Sequence, residues 1–276
     1  MIKTWMTPWL LMAVPFLGAA LSLLLRTSLQ RMKTSALLTT VASMLVVIGT
    51  PWALGDTLAG VPFLCLLPLT AFLSLLGQPL HRDNTSAWTT TLVLLGLGLG
   101  ILTAQAPVHD VMLLILPGLL CILLYRYQSG ATPETWRGLS AYGLSMVSAA
   151  LALVLPTPAS TVALLVTCAT LLPLLPVHSG FIATLTGLPG NLPAFLIFLL
   201  PTVGFHTLLT LLPNLTVTTL HTVAILALAG AVYGSLRALI QARPLPRLSY
   251  AALAFFGLLW WYVADTGTAP MQATVY

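Results

Sequence analysis

Leu192–Pro213 reads LPAFLIFLLPTVGFHTLLTLLP, 22 residues without one formal charge. As a helix rising 1.5 Å per residue it would cover about 33 Å, against about 30 Å for the hydrocarbon core of a bilayer. The apolar residues surround the whole circumference instead of forming one stripe, as they do in helices immersed in lipid or in a bundle core. A helix also satisfies its own backbone hydrogen bonds, which spanning requires.

The same reading extends in both directions. Apolar segments occur at about 8–25, 34–55, 58–77, 87–105, 111–126, 139–156, 158–177, 192–213, 215–236 and 248–264. Hydrophobic residues make up 58% of the chain and charged residues 5%, with mean hydropathy +1.02. Soluble domains carry about 25% charged residues. The sequence therefore predicts an all-α polytopic membrane protein of about ten transmembrane helices, in one membrane domain over 1–276 with only short loops.

Loop charge orients the spans. With ten segments, Arg26, Arg31, Lys33, Arg82, Arg126, Arg137, Arg237, Arg243 and Arg247 fall on one side and Lys3 alone on the other. That places both termini outside (periplasm or intermembrane space) and the basic loops in the cytoplasm or matrix of a bacterial or mitochondrial inner membrane. The net charge of +5 follows from this asymmetry and needs no nucleic-acid partner. Lys3 before an apolar run resembles a signal peptide, but about eighteen residues are long for its h-region, so the first segment reads as a retained helix.

Asp56, Asp83, Asp110, Glu134 and Asp265 are the only acids, and all lie in or beside the breaks between apolar runs. Intramembrane ionisable groups mark pumps and proton relays; here no carboxylate or ammonium is expected inside a span. Cys65, Cys121 and Cys168 lie within spans without metal-ligand spacing, and no Walker loop, GxSxG or HExxH is present. No catalytic residue, cofactor or metal is expected. Gly96 and Gly100 form a GxxxG pair that reads as helix packing. Trp260, Trp261 and Tyr262 read as an interfacial aromatic belt.

His81 and His109 sit at span ends and read as solvated. His206 and His221 fall inside or near the mouths of spans, where an imidazole can bond across helices or handle protons. Pro173, Pro176, Pro189, Pro193 and Pro201 crowd one region, and a mid-helix proline removes a backbone bond. Broken membrane helices are tolerated where they are buried in protein or line a cavity. A broken-helix region is thus expected near 171–201, with simple kinking as the alternative.

Leu171–Gly180, LLPLLPVHSG, and Thr186–Phe195, TGLPGNLPAF, resemble the proton-translocating antiporter family, where a lysine precedes PLHTW and then APTPVS. That family includes subunits L, M and N of NADH-quinone oxidoreductase, Mrp antiporter subunits and the membrane subunit of inorganic-carbon uptake complexes. In the same order, Gly60–Leu76 resembles its third helix, Val111–Pro117 (VMLLILP) its WELMLIP, and Trp136–Val147 its sixth helix. Val232–Gln241 (VYGSLRALIQ) and Arg247–Gly257 (RLSYAALAFFG) resemble YGALLALVQ and RLIAYSSVSHMG.

The resemblance places Met112 where the family has a glutamate, Leu171 and Thr202 where it has lysines, and Phe255 where it has a histidine. His178 retains the histidine of PLHTW, with Ser179 and Gly180 replacing the two residues after it, and His206 lies a turn beyond Thr202. On this pattern 1–85 holds three N-terminal helices, 86–213 a first five-helix repeat, and 214–276 a shortened start of the second. His178, His206, His221 and Thr202 are the residual polar positions.

The resemblance implies a membrane subunit of a larger proton-coupled complex, of the respiratory NADH-quinone oxidoreductase or inorganic-carbon uptake type. It would dock or couple without a charged path of its own, as a non-catalytic subunit. The alternative is an independent transporter or channel for a neutral solute; an enzyme acting in the membrane lacks any constellation to carry it. Partner chains are expected on spans nine and ten, where Ala227, Gly230, Gly234 and Gly257 offer close-approach faces.

Overall fold

The computed structural model describes residues 2–54, 61–127 and 132–266. These form α1 (Ile2–Leu24), α2 (Leu29–Leu54), α3 (Val61–Leu76), α4 (Thr85–Thr103), α5 (Val108–Tyr127) and α6 (Pro133–Val154). Then come α7 (Ala159–Leu171), α8 (Ser179–Gly187), α9 (Leu192–Leu211), α10 (Val217–Ile240) and α11 (Pro244–Thr266). The chain is an all-α polytopic membrane protein. Seven of the described helices (α2, α4, α5, α6, α9, α10 and α11) are individually long and apolar enough to cross a bilayer.

Every expected span has its helix, but the described helices number eleven, not ten. The segment expected at 158–177 stops being helical at Leu171, and the additional α8 follows it. At nine residues, α8 is well below the about 17 needed to register as a span. Pro201 does not interrupt its region: α9 runs unbroken through it. Asp56 lies outside the described residues.

The chain divides into two compact units, Met1–Met112 with Pro189–Leu199, and Leu113–Leu188 with Leu200–Tyr276. In the first, α4 is enclosed along nearly its whole length because its glycines admit neighbours. A Cβ at Gly96 would lie 3.2 Å from Phe16 of α1, and one at Gly100 would lie 2.7 Å from both Met12 and Met112. Gly98 meets Leu67 of α3 and Leu199 of α9. A buried cluster of Ala19, Met32, Ala36, Leu75, Trp88 and Leu92 fills the space between α1, α2, α3 and α4.

Polar side chains fix the ends of these helices. Lys33, in the second turn of α2, donates to the carbonyls of Leu76 and Gln78, placing its charge at the negative end of α3. Gly190 turns the chain into α9 with φ +66°, where a Cβ would also lie 3.2 Å from Ala87. Asn191 is 1% exposed and donates to Thr91 Oγ1 at 2.8 Å and Ser74 Oγ at 3.2 Å, which pins the start of α9 to α4 and α3.

In the second unit α10 and α11 form an antiparallel hairpin at backbone contact. A Cβ on Gly257 would lie 2.8 Å from both Ala227 O and Ala231 N, and one on Gly234 would lie 2.7 Å from Ala254 N. Ala227, Gly234 and Gly257 are therefore consumed inside the chain, and Gly230 faces Leu175 at 3.7 Å. This corrects the expectation that they offer a docking face to another chain. The sequence shows that small residues permit close approach, but not which helix takes up the offer. The hairpin instead exposes bulky residues, among them Leu228, Val232, Leu236 and Phe255.

Candidate functional site: the break between α7 and α8

Two prolines make the break, and the structure accounts for each hydrogen bond they remove. Pro173 has no N–H for Ala169 O, and Leu174 N takes that carbonyl instead at 3.0 Å. A proline also drives the residue before it out of the helical region; Leu172 has φ −92° and ψ 96°. Pro176 in turn has no N–H for Leu172 O. The indole Nε1 of Trp260 in α11 donates to that carbonyl at 2.9 Å. Trp260 is 1% exposed, so it is a core residue and not part of an aromatic belt. Trp261 and Tyr262 are partly exposed beside it.

Around the break the packing is close. Leu171 and Leu172 are both 0% exposed. A Cβ on Gly204 of α9 would lie 2.6 Å from Leu172 N, so the extended backbone passes directly over that glycine. Leu172, Leu174, Leu208, Val223, Val263 and Trp260 belong to one buried cluster.

Most of the polar groups nearby are hydroxyls, with the His178 imidazole beside them. Tyr142 of α6 donates to Thr184 Oγ1 of α8 at 2.7 Å, because the Thr184 hydroxyl itself donates to Gly180 O at 2.8 Å. Thr170 donates to Ser145 Oγ at 2.7 Å, and Thr167 to Ser145 O at 3.2 Å. Ser179 Oγ reaches Arg137 O at 3.0 Å, tying the start of α8 to α6. Several of these hydroxyls bond back to their own helix, which stabilises hydroxyls in lipid without creating a charged site.

His178 lies immediately before α8, with its ring edge-to-face on Tyr233 of α10 at 5.4 Å. Tyr233 stacks on Tyr250 of α11 at 6.1 Å, and Arg237 lies over the Tyr250 ring at 5.2 Å. This aromatic row runs from the break to the α10–α11 loop; the sequence reading missed it, since its members are 55 or more residues from His178. Thr202 and His206 lie one turn apart on α9, both half-buried. His221 is exposed in the first turns of α10, and Phe255 is 63% exposed, so neither joins the break. Met112 is buried in the first unit against Gly100.

His109 departs from the expected solvated state. It is 7% exposed and its Nδ1 lies 2.9 Å from Asp110 Oδ1, in the first turn of α5. An apolar-run count cannot detect this, because the two residues sit at the segment's edge.

The chain is an all-α polytopic membrane protein with a discontinuous helix packed closely against its neighbours. No protein-family model matches the chain, and no curated protein does. Among solved structures, it is similar to a chain of respiratory complex I from Thermus thermophilus, in a structure with bound aureothin. The TM-score is 0.68 at 18% identity, over 94% of this chain. The match spans 65% of that chain's length. The fold is thus similar to that of about two thirds of a complex I chain.

Proposed function

We propose that this chain is a membrane subunit of a larger, proton-coupled complex of the complex I type, docking or coupling without a charged proton path of its own. The observation that carries this reading is the fold likeness over 94% of the chain. The lack of a charged path is supported by the break itself, where Leu171 is enclosed and the neighbouring polar groups are hydroxyls and the single imidazole of His178. Between Arg137 and Arg237 the sequence has no Asp, Glu, Lys or Arg at all. Met112, Leu171, Thr202 and Phe255 stand where the resembled family carries titratable groups, and α4–α9 would form its first repeat. The host would be a respiratory or an inorganic-carbon uptake complex.

Purification from native membranes in mild detergent, with and without prior cross-linking, tests the subunit role. Other membrane chains should co-elute at fixed stoichiometry. Cross-links should fall on the bulky exposed residues of α10 and α11, not on Gly234 or Gly257. A stable monomer without cross-linked neighbours would contradict the proposal and favour an independent transporter of a neutral solute.

A further inference from the structure

The α10–α11 loop gathers Arg237, Arg243 and Arg247 at one end of the hairpin without a counter-charge. Among the described residues, carboxylates pair only with His81 and His109. The first turn of α11 has no acid, and Arg247 N bonds Arg243 O, so both arginines flank the positive pole of that helix. Cations at this pole are unfavourable unless an anion joins them. Backbone donors there are few, because Pro244 and Pro246 carry no N–H. An anion would therefore be held by guanidinium groups.

Arg237 provides a second, independent observation. Its Nη2 donates to the Tyr250 hydroxyl at 3.4 Å and its Cζ lies over the Tyr250 ring at 5.2 Å, while its Nε is enclosed without a hydrogen-bond partner. The guanidinium is thus pre-positioned by the Tyr250 ring and hydroxyl. Directly beside it, Leu236, Leu239, Ile240 and Leu248 are exposed. Arginines at one end of the hairpin adjoining an apolar surface match one class of ligand, an amphiphile with an anionic phosphate headgroup.

We infer that the α10–α11 loop is a binding site for an anionic phospholipid. Arg237, Arg243 and Arg247 hold its phosphate, and the exposed leucines of the hairpin lie along its acyl chains. Tyr250 is the positioning residue that fixes Arg237. This site does not depend on the proposed partnership.

Native mass spectrometry of the full chain in mild detergent, given equimolar phosphatidylglycerol and phosphatidylcholine, tests it. The wild type should retain phosphatidylglycerol preferentially. Arg243→Gln with Arg247→Gln should reduce that preference by about 25-fold, roughly fivefold per arginine. Tyr250→Phe should reduce it in the same direction without removing a charge, which covers the case in which the double variant misfolds. Arg26→Gln with Arg31→Gln should leave it unchanged, and excess glycerol 3-phosphate should not displace the lipid. No preference in the wild type would overturn the site. So would an equal loss in the Arg26/Arg31 variant, since the arginines would then act as topogenic charge alone. Displacement by glycerol 3-phosphate would overturn the lipid assignment in favour of a free anion.

Discussion

Trp260→Ala should destabilise the folded protein by about 3–5 kcal/mol, the range for emptying a large aromatic from a packed core. Trp260 combines two roles: it fills the cluster around Leu172, Leu174, Val223 and Val263, and it donates to the Leu172 carbonyl released by Pro176. Trp260→Phe separates them. It keeps most of the volume but leaves a buried carbonyl unpaired, at about 1–3 kcal/mol. The lower end is expected, because membrane segments find other partners when unfolded. Reversible unfolding in mixed micelles measures both. An alanine variant as stable as the wild type would mean that the break does not rest on Trp260.

Gly257→Leu and Gly234→Leu should open the α10–α11 hairpin. The atoms that a Cβ meets are backbone, 2.8 Å away at Gly257 and 2.7 Å at Gly234, and backbone cannot rotate aside. Alanine at either position should cost about 1–3 kcal/mol by overpacking, and leucine more. Gly230→Ala is the internal control. Its Cβ would first meet Leu175 at 3.7 Å, so the gain in helix propensity, about 1 kcal/mol, should offset any strain. Unfolding of the three alanine variants in mixed micelles should rank them accordingly. A destabilised Gly230→Ala beside neutral Gly234→Ala and Gly257→Ala would contradict the hairpin packing.

Much of the fold was legible in the sequence because lipid imposes a length and a composition on each span. Runs such as Leu192–Pro213 can hardly be read otherwise, and each of the ten expected segments has a helix. The prolines of Leu171–Gly180 located the break, since a missing N–H is a local property. What repairs the break was not legible. Trp260 is 88 residues from Leu172, and its neighbours Trp261 and Tyr262 give it the signature of an interfacial belt. Gly230 and Gly234 signalled close packing, but a single sequence does not say whether the partner helix belongs to the same chain. Pro201 fits within α9 because one lost backbone bond kinks a membrane helix without ending it. His109 was assigned to solvent for similar reasons: its burial depends on tertiary packing around the start of α5.

If this fold, in this chain, carries no charged proton path, proton flux in proteoliposomes will be absent. Purified protein is reconstituted with a trapped pH-sensitive dye, a potassium diffusion potential is applied, and proton entry is followed over time. Entry should be no faster than in protein-free liposomes, with no change on His206→Ala or His178→Ala. Rapid, protein-dependent proton entry that either histidine substitution abolishes would contradict it.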